Sequence, residues 1–152
     1  MTRANARELA VHLIYAREFT GDDPESVIAT RLEKEYYGQL SEENPLYQDR
    51  PSRVQRAYID SVVIGVANRI DELNEIISKF SIDWDISRIS RLTRTILQLA
   101  IYEIKYVDDV PTGVAVAEAV RIVKLYDTED AGAFVNGILG SFARSISTEV
   151  KV

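Results

Sequence analysis

An all-helical fold is what this sequence predicts, and three observations carry that expectation. Apolar residues recur mainly at three- and four-residue intervals, the spacing of one helix face, and no convincing strand pattern competes with it. Only four Pro and seven Gly punctuate 152 residues. Near the C-terminus, Asn136-Gly137 would mark a hairpin turn between alternating apolar residues, yet Phe134, Ile138 and Phe142, flanked by Val135 and Leu139, repeat at helical spacing. The helix reading wins there. Because Gly in a helix interior costs about 1 kcal/mol relative to Ala, Gly137 is expected where another backbone comes close.

The elements follow in order. A first helix is predicted from Arg3 to about Phe19, with Leu9, Leu13 and Ala16 beside Ala10, Ile14 and Arg17 on adjacent faces, and Gly21 ends it. Asp23 caps the next, with Pro24 at its first position, where the missing N–H is no loss; this helix runs towards Tyr36. From Tyr37 to Ser52 the pattern dissolves into a polar stretch broken by Gly38, Asn44, Pro45, Asp49 and Pro51, so residues 37–53 read as a loop. Ser52 precedes one long helix to about Phe80, striped by Ile59, Val62, Val63, Val66, Ile70, Leu73 and Ile77. A turn around Asp83, Trp84 and Asp85 leads to a helix carrying Ile89, Leu92, Ile96, Leu99 and Tyr102 or Ile104, capped by Ser87 or Ser90. Pro111 or Thr112 opens a helix through Val114, Ala117, Val120 and Val123 to Tyr126, and Thr128 caps a last one ending near Ser145, with 145–152 as a tail.

A chain of this length forms about one domain, so residues 1–152 read as a single unit able to bury roughly 68–70% of its unfolded surface. Zero Cys excludes disulfides and thiolate metal sites and fits a reducing compartment. With no apolar leader and no stretch near the roughly 20 apolar residues that span a bilayer, a cytoplasmic protein without membrane contact is expected. The net charge of -6 excludes a surface that attracts nucleic acid everywhere. Any such site must be local.

Reactive chemistry is scarce. His12 is the sole histidine, one turn after Glu8, and the local sequence supplies no further metal ligands; no metal site and no cofactor are expected. A nucleophilic triad would rest on His12 alone. Neither GxxxxGK[ST] nor GxGxxG occurs. The acidic pairs Asp108-Asp109 and Glu129-Asp130 suit a loop or a first helical turn, where negative charge favours the helix dipole. The chain is therefore not expected to be an enzyme.

Arginines are more suggestive. Arg88, Arg91 and Arg94 form a slowly drifting row, and Arg3 and Arg7 an i, i+4 pair. Arg forks two N–H donors to a phosphate. If all five contacted single-stranded RNA, the logarithmic salt slope would approach about -3.5, at roughly -0.7 per contact. A row of Arg is otherwise a solvated face.

Several separated motifs then appear in one order: Ala6-Arg7-Glu8-Leu9-Ala10-Val11 through Tyr15, Trp84 with Arg88-Ile89, Ile96-Leu97-Gln98-Leu99-Ala100-Ile101-Tyr102-Glu103, Val110-Pro111, Ala117-Glu118-Ala119-Val120 and Phe134-Val135-Asn136-Gly137-Ile138-Leu139. From about residue 3 to 144 the chain resembles the NusB family of transcription antitermination factors, in the stand-alone form. The resemblance implies about seven helices, arranged as two packed three-helix bundles plus a short helix, with no catalysis. It also implies binding of the ribosomal protein NusE and, with it, of boxA RNA in the elongation complex, supporting transcription of ribosomal RNA operons. Readers of unpaired RNA stack bases on aromatic or Arg planes and bond their edges.

Carried across by position, the resemblance implies RNA contacts at Arg3, Arg7 and Tyr15, a base-edge contact at His12 where Gln is common, and further contacts at Arg88, Asp130 and Phe134. It implies partner contacts at Tyr102, Glu103 and Asp130. The chain departs from the family where Ala4 and Asn5 stand in place of a dense arginine cluster, so weak RNA binding alone, strengthened by NusE, is expected. Two other classes compete: a self-associating module whose homodimer covers the RNA surface, and an accessory domain of an RNA methyltransferase system.

Overall fold

Eight α-helices and one 3-10 turn make up the secondary structure of the computed structural model, which describes residues 1–81 and 89–147. Among the described residues there is no strand and the eight helices are close to the expected seven, so the all-helical expectation holds. Contacts group the chain into two units, Met1–Asn68 and Arg69–Val152. Trp84, Ser87 and Arg88 lie outside the described residues, as does the turn expected around them.

The first unit opens with α1 (Arg3–Thr20), whose start is held by the Thr2 hydroxyl accepting from the Asn5 N–H at 3.0 Å. Gly21 closes it at φ 70°, a left-handed position that glycine reaches without Cβ strain. Asp23 caps α2 (Pro24–Arg31) by accepting from the Ser26 N–H at 2.9 Å, with Pro24 in the first turn. The helix expected to continue to Tyr36 instead stops at Leu32, because Glu33 turns extended and its carboxylate accepts from the Glu35 and Tyr36 N–H groups to start α3 (Lys34–Leu40). That corrects the loop expected from Tyr37. Tyr37 is fully buried, and its hydroxyl donates to the Asp49 carbonyl at 2.7 Å, tying α3 to the chain beyond a 3-10 turn at Pro45–Gln48. Then α4 (Arg53–Asn68) packs Tyr58, Ile59, Val62 and Val66 inward, against α1 and α2.

The expected continuous helix from Ser52 to Phe80 breaks at Arg69, which leaves the helical region at φ -120° and ψ 21°. The second unit begins there with α5 (Ile70–Phe80), followed by α6 (Arg91–Tyr106), α7 (Thr112–Tyr126) and α8 (Glu129–Ser147). A clasp accounts for the fixed position of Arg69: its guanidinium lies 4.0 Å over the Tyr106 ring and donates to the Tyr106 hydroxyl, which donates to Glu72. Lys105 pairs with the same carboxylate at 3.2 Å. Together they join α5 to α6.

Ser90 caps α6 by accepting from the Thr93 N–H, and Thr128 caps α8 by accepting from the Ala131 N–H. Asp127 connects the two caps: one carboxylate oxygen accepts from the Ser90 and Thr93 hydroxyls at 2.7 and 2.8 Å, the other from the Thr128 N–H at 2.8 Å. These hydroxyl bonds hold its carboxyl below the usual range. Leu97, Ile101, Val123, Val135, Ile138 and Leu139 form the core of this unit. Asn136 and Gly137 are helical, and α8 runs past Ser145 to Ser147.

Candidate nucleic-acid interface

Arg3 stands in the first turn of α1 and reaches α4. Its Nε donates to the Gln55 carbonyl oxygen at 2.9 Å, and its guanidinium carbon lies 4.1 Å from the centre of the Tyr58 ring. Arg7, one turn on, lies 5.8 Å from the same ring. The two differ in access: Arg3 is half-buried, whereas Arg7 is 4% exposed and belongs to the polar lining of the core beside Glu8. Stacking over an aromatic face holds a cation in place without consuming its N–H donors. An arginine so held meets a phosphate with its side chain already ordered.

His12 points elsewhere. Its Nδ1 makes a 2.7 Å hydrogen bond with the Tyr47 hydroxyl, the rings stack at 5.9 Å, and Tyr47 packs in turn on Tyr37 at 5.1 Å. Burial lowers the His12 pKa; Glu8 opposes the shift and Arg31 adds to it. Burial likewise pushes the Tyr47 hydroxyl up to about 12, so both groups are neutral at pH 7. Tyr15 is half-buried and meets the exposed ring of Phe19 edge-on at 4.8 Å.

In the second unit, Asp130 is exposed in the first turn of α8, and Phe134, one turn later, is 6% exposed. At that burial Phe134 offers a base little of its ring while α8 keeps its packing. On α6, Tyr102 is half-buried against Tyr106 at 5.3 Å, and Glu103 is 1% exposed. Of the residues that resemblance pointed to, the structure thus brings Arg3 and Arg7 together on Tyr58, pairs Tyr15 with Phe19, and leaves His12 with Tyr47. Arg88 lies outside the described residues. Arg91 is exposed at the start of α6, with Arg94 half-buried one turn later.

Sequence reasoning missed Gln55, Tyr58, Tyr47 and Tyr106. The i, i+4 spacing of Tyr102 and Tyr106 could have signalled the last; nothing local points to the others, which meet Arg3 and His12 from 35 or more positions away. Among the described residues no cluster of three His, Cys, Asp or Glu could hold a metal, and no helix is long and apolar enough to cross a membrane.

Residues 4–144 match the model of the NusB family. The chain belongs to that family. The transcription antitermination protein NusB of Acetivibrio thermocellus is 40% identical over 144 residues, covering 95% of this chain and 90% of its own. NusB of T. maritima superposes with a TM-score of 0.76 at 26% identity, over 95% of this chain and 92% of that one. A crystal structure of the antitermination factors NusB and NusE in complex with dsRNA contains a chain of the same fold, with a TM-score of 0.72 at 24% identity over 94% of this chain and 96% of that one. The order of motifs from Ala6 to Leu139 is thus a NusB pattern along nearly the whole chain.

Proposed function

We propose that this NusB-family chain binds boxA-type RNA together with NusE and so supports antitermination in the cytoplasm, as a non-enzymatic part of the transcription elongation complex. Membership in a family of antitermination proteins supports the class, and a fold neighbour crystallised with NusE and RNA supports the partners. The observation in this chain that carries the reading is Arg3: a half-buried guanidinium braced by Gln55 and Tyr58 and, among the described residues, without an ion pair. In a chain with 24 acidic against 18 basic residues, a cation kept from carboxylates is suited to an external anion.

Arg3 and Arg7 serve the RNA backbone, with Arg7 acting through the shared Tyr58 shelf; Tyr15 offers a ring to a base. His12, Asp130 and Phe134 stand as secondary RNA positions, with Tyr102, Glu103 and Asp130 on the NusE side. The burial of Glu103 and Phe134 gives them packing roles as well. Fluorescence anisotropy with a labelled boxA RNA at fixed salt tests the reading. Weak binding by the chain alone, strengthened by added NusE, is expected; the same affinity with and without NusE would refute it.

A further inference from the structure

The contact between Arg3 and Gln55 fixes more than the arginine. A guanidinium has donors only, so the Gln55 atom facing Arg3 Nε must be the carbonyl oxygen, as the 2.9 Å bond to Oε1 has it. A side-chain amide is planar, with its oxygen and nitrogen on opposite arms. Once the oxygen is taken, the Gln55 Nε2 group is left to donate away from the Arg3 Nε. Arg3 keeps its two terminal nitrogens, because Nε makes its hydrogen bond and the Tyr58 ring takes its face. Neither Arg3 nor Gln55 has a carboxylate partner among the described residues, and the acid on the neighbouring turn of α4, Asp60, is occupied by Arg56 at 2.9 Å. What remains is a two-helix array of N–H donors around a positive charge, with the Gln55 amide oxygen turned to Arg3. That is the complement of a phosphate, whose oxygens only accept.

We propose that Gln55 is a second phosphate-binding residue of the α1 surface, its side-chain amide and the Arg3 guanidinium gripping one phosphodiester of the transcript over the Tyr58 shelf. This inference rests on the RNA-binding reading above. It adds α4 to a surface otherwise drawn along α1.

The test uses the full chain and a labelled single-stranded RNA, with affinity followed across a salt series. Gln55 is half-buried at the start of α4, so its variants should melt near the native temperature. Arg3→Ala should weaken binding and lower the salt slope by about 0.7. Gln55→Ala should weaken binding about fivefold to tenfold with the slope unchanged, since a neutral donor releases no counterion. Gln55→Glu should do more: its carboxylate would capture Arg3, and the slope should fall by about the same 0.7 as in Arg3→Ala. In the double variant Arg3→Ala/Gln55→Ala the losses should fall short of their product, because both groups serve one phosphate. If Gln55→Ala and Gln55→Glu keep native affinity and slope while Arg3→Ala weakens binding, Gln55 is no ligand and the inference fails alone. If Arg3→Ala is native-like too, the RNA reading of α1 fails with it. Loss of NusE capture with RNA affinity intact would assign Gln55 to a protein contact and also overturn the proposal.

Discussion

Arg3 and His12 show how single side chains divide the labour of α1. Arg3 combines charge with restricted motion, so replacing it by Lys keeps the charge but removes the Nε bond to Gln55. Arg3→Lys should therefore weaken RNA binding while leaving the salt slope nearly native, which anisotropy at several salt concentrations would register. His12 is the only histidine, and its pKa is lowered by burial. The unfolded chain consequently binds a proton that the folded chain resists as pH falls below about 6.5, the ordinary His value. Stability should be fully present above that value and decline through the interval below it, before the carboxylates titrate. Urea melts at pH 7.5 and 5.5 should show the loss, and His12→Gln should remove most of the difference. A native protein equally stable at both values would contradict the burial of this ring.

Helix ends were the most legible elements, because their signals are local. Thr128 and Asp23 cap as their positions suggest, Ser90 does what Ser87 or Ser90 was expected to do, and Gly21 ends α1. Gly21→Ala should cost about 1 kcal/mol in urea unfolding, since a Cβ there meets nothing within 4 Å and only the left-handed φ of 70° resists it. Breaks made by distant partners were not legible. Arg69 interrupts a sound apolar stripe because Tyr106 and Glu72 hold it, and the burial of Tyr37 goes with a hydroxyl bond to the Asp49 carbonyl twelve positions on. The candidate site divides the same way: Arg3 could be named from sequence, whereas Gln55 and Tyr58 join it from 52 and 55 positions later. Phe134 was legible as part of an apolar helix face, and its burial makes Phe134→Ala a folding lesion first. Thermal or urea melts should show a loss of about 3–5 kcal/mol, so a change in RNA binding by that variant needs a folded control.

For the whole molecule, a net charge of -6 and a small donor patch set opposite tendencies. Long-range repulsion of RNA is screened by salt, whereas contact at Arg3 is weakened by it, so the chain alone should show a shallow salt dependence compared with its complex with NusE. Anisotropy from low to physiological ionic strength would reveal the difference; parallel slopes would mean that NusE adds no phosphate contacts. A different kind of coupling resides in Asp127, whose carboxylate braces the starting turns of α6 and α8 at once. Two helix beginnings that hang from one anion should fray in step. Deuterium should enter the amides of Thr93 and Ala131 faster together in Asp127→Ala, making a single side chain the timekeeper for opening at both sites.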